Sequence, residues 1–384
     1  MTPATELVHA LAEARERTDE LFELVRPDSL YERPIAERHR IIFYVGHMEA
    51  FDWNLLGRYA FDTRPFQPEF DRLFAFGIDP PPGRLPEDVP SDWPGIAEVQ
   101  RYVARVRDEV DELASRAPEQ LIHVAVEHRL MHAETLAYML HQLPYERKHP
   151  PARLSAPMDP ARPEPRMIDF AAGAARLGRN EDDGFGWDNE FRAHHVEVAP
   201  FAISKYKVTN GDYLEYVRQG ADPPFFWEER NGRWFYRGMF SEIPLPLSWP
   251  VYVTMREAES YARWRGKRLP TEAEFHRAAL PPKTGNFDFR RWDPCTVNES
   301  NGHEAPVQMY GNGWEWTSSA FSAFPGFEPF PFYKNYSEPF FDGQHYVLKG
   351  ASPRTAACFL RNSFRNWFRP EYPYVYSTFR LVES

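Results

Sequence analysis

The chain has 384 residues, a net charge of −11, 42% apolar and 26% charged residues, and two cysteines, Cys295 and Cys358. That balance is globular, the length exceeds one common hydrophobic core, and the negative charge disfavours nucleic acid and anionic membrane as partners, since both would repel it. Two cysteines supply neither a disulfide framework nor a four-thiolate zinc site. The opening "MTPATELVHALAEARERTDELF" is charged throughout and lacks an apolar signal core, so a reducing cytoplasm is the expected location.

The first half reads as helices. Leu7, Leu11, Ala14, Thr18, Leu21 and Val25 repeat at the helical period, which predicts a first helix. A second should run through "RIIFYVGHMEAFDWNLLGRYAF". The proline-dense "FGIDPPPGRLPEDVPSDWP" then predicts a long ordered loop over one end of a bundle. Val99, Val103, Val106, Val110 and Leu113 predict a further helix, and "PEQLIHVAVEHRLMHAETLAYMLHQL" the last, ended by Pro144. Four amphipathic helices over residues 1–143 fit an antiparallel four-helix bundle.

Residues 144–166 carry seven prolines and almost no apolar period, which predicts a semi-rigid linker. Beyond it, over 167–384, the pattern changes to short strands such as "HHVEVAPFAI" and "HYVLKGA", dense aromatics and many turns. Helices are expected at "TNGDYLEYVRQG" and "TMREAESYARWRGK", with a third at "TEAEFHRAAL". The fold class is therefore α+β. "RLPTEAEF" has the form of a capping box, and "WEW" reads as two core tryptophans flanking an acid that satisfies buried backbone.

"HRLMHAE" places His128 and His132 four residues apart, so both rings project from one helix face, the inward one shared with Leu121, Ala125, Leu136 and Met139. Glu127, Met131 and Glu134 form a second face roughly 100° round. A single inward histidine is ordinarily a hydrogen-bonded core residue. Two side by side are costly to bury unless something satisfies them. His47, among Phe43, Tyr44, Ala50 and Phe51 at helical spacing, is a third candidate, because facing helices of a bundle can converge on one interior site. Three histidines from two helices would hold a metal facially and leave positions open, the usual condition for catalysis. A zinc-protease motif is absent, since Arg129 stands where its glutamate would be. Iron(II), zinc and copper all suit the ligand type.

His47 in "YVGHMEAFDWN" followed by "HRLMHAE" resembles the metal site of the nonheme-iron sulfoxide synthases of thiohistidine biosynthesis, the ergothioneine and ovothiol enzymes with the related selenoneine synthases. "GWDNE", "VTNGDYLEYV", "RLPTEAEF", "GNGWEWTSS", "FRNWFRP" and "STFRLV" resemble, independently, the formylglycine-generating-enzyme type domain. The resemblance spans nearly the whole chain. It implies a DinB-like four-helix bundle followed by a C-type-lectin-like α+β domain, with the metal in a tunnel between the two. It further implies Fe(II) held by His47, His128 and His132, and O2-dependent joining of a thiol or selenol donor to the imidazole carbon of a histidine derivative. A tyrosine is expected to deliver a proton or electron, with Tyr333 and Tyr336 the candidates. Met131, Glu134 and the run Arg365, Asn366, Trp367 and Phe368 are the expected substrate contacts.

Several positions depart from the ergothioneine pattern. Met131 stands where those enzymes carry a glutamine, and Phe368 where an acid commonly follows the tryptophan. The loop before the third long helix lacks an arginine tract suited to a γ-glutamylcysteine carboxylate and is closer to the ovothiol type, and "VLKGAS" replaces the usual Arg-Gly-Gly. The chemistry carries over better than the substrates. Cysteine, γ-glutamylcysteine and a selenosugar stand as donors, histidine and hercynine as acceptors. A non-catalytic lectin-like binding module and a related oxygenase acting on another thiol are the alternatives.

Overall fold

The helical half follows its periodicity. The computed structural model describes residues 3–75, 84–152, 154, 157–279, 284–298 and 305–383. Helix α1 is Pro3–Glu23, α2 is Ile41–Asp52, α3 is Pro68–Leu73, α4 is Ile96–Ala114 and α5 is Glu119–His141. Leu11, Ala14, Thr18 and Leu21 of α1 are buried as their spacing demands, as are Val99, Val106 and Val110 of α4. The helix α1 packs along α5, and α2 along α4.

Two features of this half differ from expectation. The second helix does not run evenly to residue 61: past Asp52 it widens into a π-helical stretch, Trp53–Tyr59. Gly57 lies against the Trp53 ring, where an added Cβ would sit 2.5 Å from ring carbon, so the wide turn is packed on its own indole. The short α3 is an addition, started by Pro68 at its first position. Of the proline-dense loop, residues 76–83 lie outside the described residues. The remainder is held by Arg33, which donates to the Pro86 carbonyl at 2.9 Å, and by Arg40, which donates to Asp88 at 2.9 Å.

Residues Met1–Leu154 and Ser155–Ser384 form two units, and the division between them falls inside the proline-rich stretch. Tyr145–Arg147 makes a 3-10 turn, and the His149 amide donates to Leu24 in the first unit. In the second, the Trp249 indole donates to the Met158 carbonyl, and the Leu247 and Ser248 amides donate to Asp159. Prolines make this backbone extended, but its carbonyls and side chains still find donors.

The second unit is α+β, as expected. Its strands are β1 (Met167–Phe170), β2 (Gly173–Leu177), β3 (His194–Val198), β4 (Phe201–Ser204), β5 (Trp227–Arg230), β6 (Arg233–Arg237), β7 (Glu242–Pro244), β8 (Gly313–Ala320), β9 (Tyr346–Ala351), β10 (Asn366–Phe368), β11 (Ser377–Thr378) and β12 (Val382–Glu383). Helices α6 (Asn210–Val217), α7 (Met255–Trp264) and α8 (Glu272–Ala278) fall where periodicity put them. Each begins with a threonine that accepts the third amide, and the acid at that position closes a capping box; in α8 the pair is Thr271 and Glu274. The strands form small sheets ordered β1-β4-β12, β2-β3, β5-β6-β7 and β10-β9-β8-β11.

The acid of "WEW" has a different role from the one its neighbours suggest. Glu315 is fully buried and ion-paired with Lys207 and with Arg380, whose Nε lies 3.0 Å from both carboxylate oxygens. Arg380 also donates to the carbonyls of Ser204 and Lys205. One carboxylate thus balances two cations that brace β4 and β8, rather than backbone amides. Removing one partner of such a cluster leaves charge buried without compensation, at a cost of about 3–5 kcal/mol. Glu315→Gln is accordingly expected to lower the urea-unfolding free energy by about that amount. A loss below about 1 kcal/mol would mean that water reaches the cluster.

Candidate metal centre and aromatic site

His47 lies on α2, and His128 and His132 on α5. All three are buried, and one nitrogen from each lies within 4.8 Å of the others. Ring centroids are 5.3 Å apart for His47 and His128, 4.9 Å for His47 and His132, and 4.5 Å for His128 and His132. Phe51 stacks on His128 at 3.5 Å and Phe43 on His47 at 4.8 Å, so the rings are walled by aromatic carbon.

One hydrogen bond decides which His47 nitrogen faces this space. Its Nδ1 lies 2.6 Å from the Phe74 carbonyl, so Nδ1 carries the proton and donates it, leaving a lone pair on Nε2. Nε2 of His47 and Nδ1 of His132 are buried without a hydrogen-bond partner among the described residues. Gly46 makes the Phe74 contact possible, because a Cβ there would fall 2.6 Å from the Phe74 ring. Burial lowers the His47 pKa to about 4, against a carbonyl bond that favours the charged ring, and burial drives those of His128 and His132 well below the ordinary value. The mutual repulsion of the rings and the nearby Arg129 charge act in the same direction. Three neutral, buried imidazoles suit one borderline divalent metal with open positions opposite the protein ligands.

A charge cluster that the motif reading missed lies beside the histidines. Arg129 is buried and donates to both oxygens of Glu49, at 3.0 and 2.9 Å, to Asp52 at 2.6 Å and to the Met48 carbonyl at 3.1 Å. Arg107 of α4 donates to Glu49 as well and makes a two-pronged pair with Asp19 of α1 at 2.7 Å. The arginines hold the Glu49 carboxyl below its usual range despite burial, whereas burial wins at Asp52 and raises it. The available signal was two acids, Glu49 and Asp52, inside the largely apolar "IIFYVGHMEAFDWNLL". Met131 and Glu134 are half-buried on α5.

The other expected residues meet in the second unit. Tyr333 and Tyr336 lie in the segment between β8 and β9, 5.5 Å apart by ring centroid. Tyr336 stacks on Trp187 at 4.0 Å and meets Trp367 edge-on at 5.3 Å. Trp367 in turn stacks on Phe321 at 4.2 Å. Ser337 ties this segment to the "GWDNE" turn by donating to Asp188 and accepting from Asn189. Burial, with the Asp188 charge behind it, pushes the Tyr333 phenol up to about 12. Burial lifts Asp188 to about 6 against the Ser337 and backbone donors.

Strand alternation separates the "RNWF" run. Arg365 shares the Trp367 side, its guanidinium 4.9 Å above Phe321, while Phe368 stacks on Tyr372 at 5.4 Å. Arg365 is buried, paired with Glu272 at 3.1 Å and bonded to the Ser322 carbonyl at 2.9 Å. It therefore braces α8 against β10 rather than presenting a free cation. Asn366, half-buried, turns its side-chain oxygen back onto the Trp367 amide.

Residues 10–149 match the DinB superfamily, and residues 154–287 and 283–384 match the sulfatase-modifying factor enzyme 1-like domain. The hercynine oxygenase of Mycolicibacterium smegmatis is 31% identical over 438 residues, covering 98% of this chain and 98% of its own. That of Mycolicibacterium thermoresistibile is 30% identical, covering 98% of this chain and 94% of its own. Ergothioneine biosynthesis protein 1 of Schizosaccharomyces pombe is 27% identical over 94% of this chain, which spans 54% of that relative's length.

Two measurements test the centre. Unfolded histidine protonates near 6.5, while folded His47 resists protonation until about 4, so the metal-free unfolded state takes up protons that the folded state refuses. Stability from this source is complete above pH 6.5 and is lost as pH falls toward 4. Denaturant unfolding of the metal-free protein should show that decline, with a shallower slope in His47→Gln. Gly46→Ala should displace Phe74 and release Nδ1, weakening metal affinity about tenfold as read by titration of the metal-free protein.

Proposed function

Because the chain belongs to the family of ergothioneine-type sulfoxide synthases, we propose that it couples a thiol or selenol donor to the imidazole carbon of histidine or hercynine, with iron(II) at His47, His128 and His132 and dioxygen as the oxidant. It is an oxidoreductase of the sulfoxide-synthase type. The observation that carries the reading is the set of three neutral, buried imidazoles converging within 4.8 Å in a chain of this family. For a thiol, the balance is donor S–H plus imidazole C–H plus O2, giving one C–S bond, one oxygen on sulfur and one water.

When bound, iron(II) supplies dioxygen activation and a coordination position that favours the donor as thiolate or selenolate. The protein's part is to hold three lone pairs in one place and keep them unprotonated. The Phe74 carbonyl keeps the His47 proton on Nδ1, so Nε2 remains a ligand atom at any pH above about 4. Phe43 and Phe51 cover the rings and exclude water from their outer faces. Tyr333, with its phenol pushed up to about 12, keeps its proton at neutral pH and is the proposed proton donor. Tyr336, stacked on Trp187, is the second candidate.

The substrate contacts proposed are Met131 and Glu134 on α5 and Asn366, Trp367 and Phe368 on β10. Phe368 and Met131 offer apolar surface rather than charge, which favours cysteine or a neutral selenosugar over γ-glutamylcysteine as donor. Arg365 contributes by holding β10 through Glu272.

The reading is tested by anaerobic reconstitution with iron(II), followed by oxygen and mass spectrometry. Cysteine, γ-glutamylcysteine and a selenosugar are offered separately with histidine or hercynine. A product with the mass of one donor joined to one acceptor is expected, and His128→Ala should lose both iron and product. Iron retention with no adduct from any pair would rule out this substrate class. Tyr333→Phe should lower kcat by about 10²–10⁴ if it is the acid, and a larger loss in Tyr336→Phe would transfer that role.

A further inference from the structure

Every histidine of the centre stands next to a part of one polar clasp. Arg129 directly follows His128 and precedes His132 by one helical turn, and Met48 directly follows His47. The Arg129 Nη2 donates to the Met48 carbonyl at 3.1 Å, to Glu49 at 2.9 Å and to Asp52 at 2.6 Å, while Nη1 donates to Glu49 at 3.0 Å. These bonds run from α5 to α2, the two helices that supply the three imidazoles.

We propose that Arg129 is a positioning residue for the metal centre, fixing the register of α2 against α5 and thereby the distance from His47 Nε2 to the imidazoles of α5. The proposal rests on the reading of the three histidines as ligands. Its physical basis is direction. The α2 surface around His47 is apolar, with Ile42, Phe43, Tyr44, Met48 and Ala50 all buried, and apolar contact is non-directional. A metal site tolerates only a few tenths of an ångström. A planar guanidinium bonded at both ends of its fork to two side chains and one backbone carbonyl sets both spacing and rotation, which an ammonium on a flexible stem cannot reproduce.

The structure supplies its own control. Arg107 also bonds Glu49, at 2.8 Å from Nη2, but its other partner is Asp19 and none of its bonds reaches backbone beside a ligand. It shares the charge cluster without sharing the clasp.

The metal-free full-length protein is titrated with Co(II), whose visible absorption reports both affinity and coordination geometry, and unfolding is measured in parallel. Arg129→Lys, which keeps the charge, should weaken Co(II) binding by about tenfold and alter the spectrum. Arg107→Met should leave both unchanged even where it costs more stability. If Arg129→Lys is insoluble, Asp52→Asn, which keeps the Met48 and Glu49 bonds, should weaken binding several-fold. Wild-type affinity in Arg129→Lys, or in Asp52→Asn where that variant replaces it, overturns the clasp alone, as does equal weakening in Arg107→Met. Absence of Co(II) binding in the unaltered protein overturns the ligand assignment and the clasp together.

Discussion

The constraint on which the first unit depends is that three imidazoles are buried side by side. Charged, they would repel one another and forfeit solvation, so burial itself keeps them neutral. Neutrality alone leaves the tautomer open, and the Phe74 carbonyl closes it at His47. That carbonyl arrives through α3 and the bare surface of Gly46. A short helix and a missing side chain thus determine which nitrogen of a ligand faces the centre.

Charge in this unit is segregated from the histidines by one helical face. Arg129, Glu49, Asp52, Arg107 and Asp19 form a chain of ion pairs that draws on α1, α2, α4 and α5. Buried pairs of this kind add little net stability over apolar packing, but breaking one is costly. Their effect is to penalise any arrangement in which the helices slip, because a slip strands a charge.

The second unit solves a like problem with other elements. Glu315, Glu272 and Glu190 are buried acids, each matched to buried or half-buried cations: Lys207 and Arg380, Arg365 and Lys349, and Arg361. These pairs hold short strands that would otherwise offer few ladder bonds. Around them runs an aromatic cluster from Trp187 through Tyr336 and Trp367 to Phe321.

Much of this was legible in the chain itself. Periodicity located α1 and α4, which bury one stripe each, the apolar runs located α2 and α5, and the i, i+4 spacing of His128 and His132 placed both rings on one face. The Thr-x-x-Glu pattern at 271–274 set the start of α8, since a capping box is satisfied within four residues. The strands β3, β4 and β9 fell where alternation and turns put them. What is local in the chain was decided locally. Only the tertiary structure decided the rest, because each case depends on groups far apart in sequence. His47 meets His128 across 81 residues. Arg129, which by motif only displaced a glutamate, is the cation that Glu49 and Asp52 require. Glu315 answers Lys207 and Arg380 rather than backbone, and Arg365 answers Glu272 rather than offering a free charge. The division between the two units falls within the proline-rich stretch at 144–166, whose hydrogen-bond partners, Leu24, Leu247, Ser248 and Trp249, lie far from it in sequence.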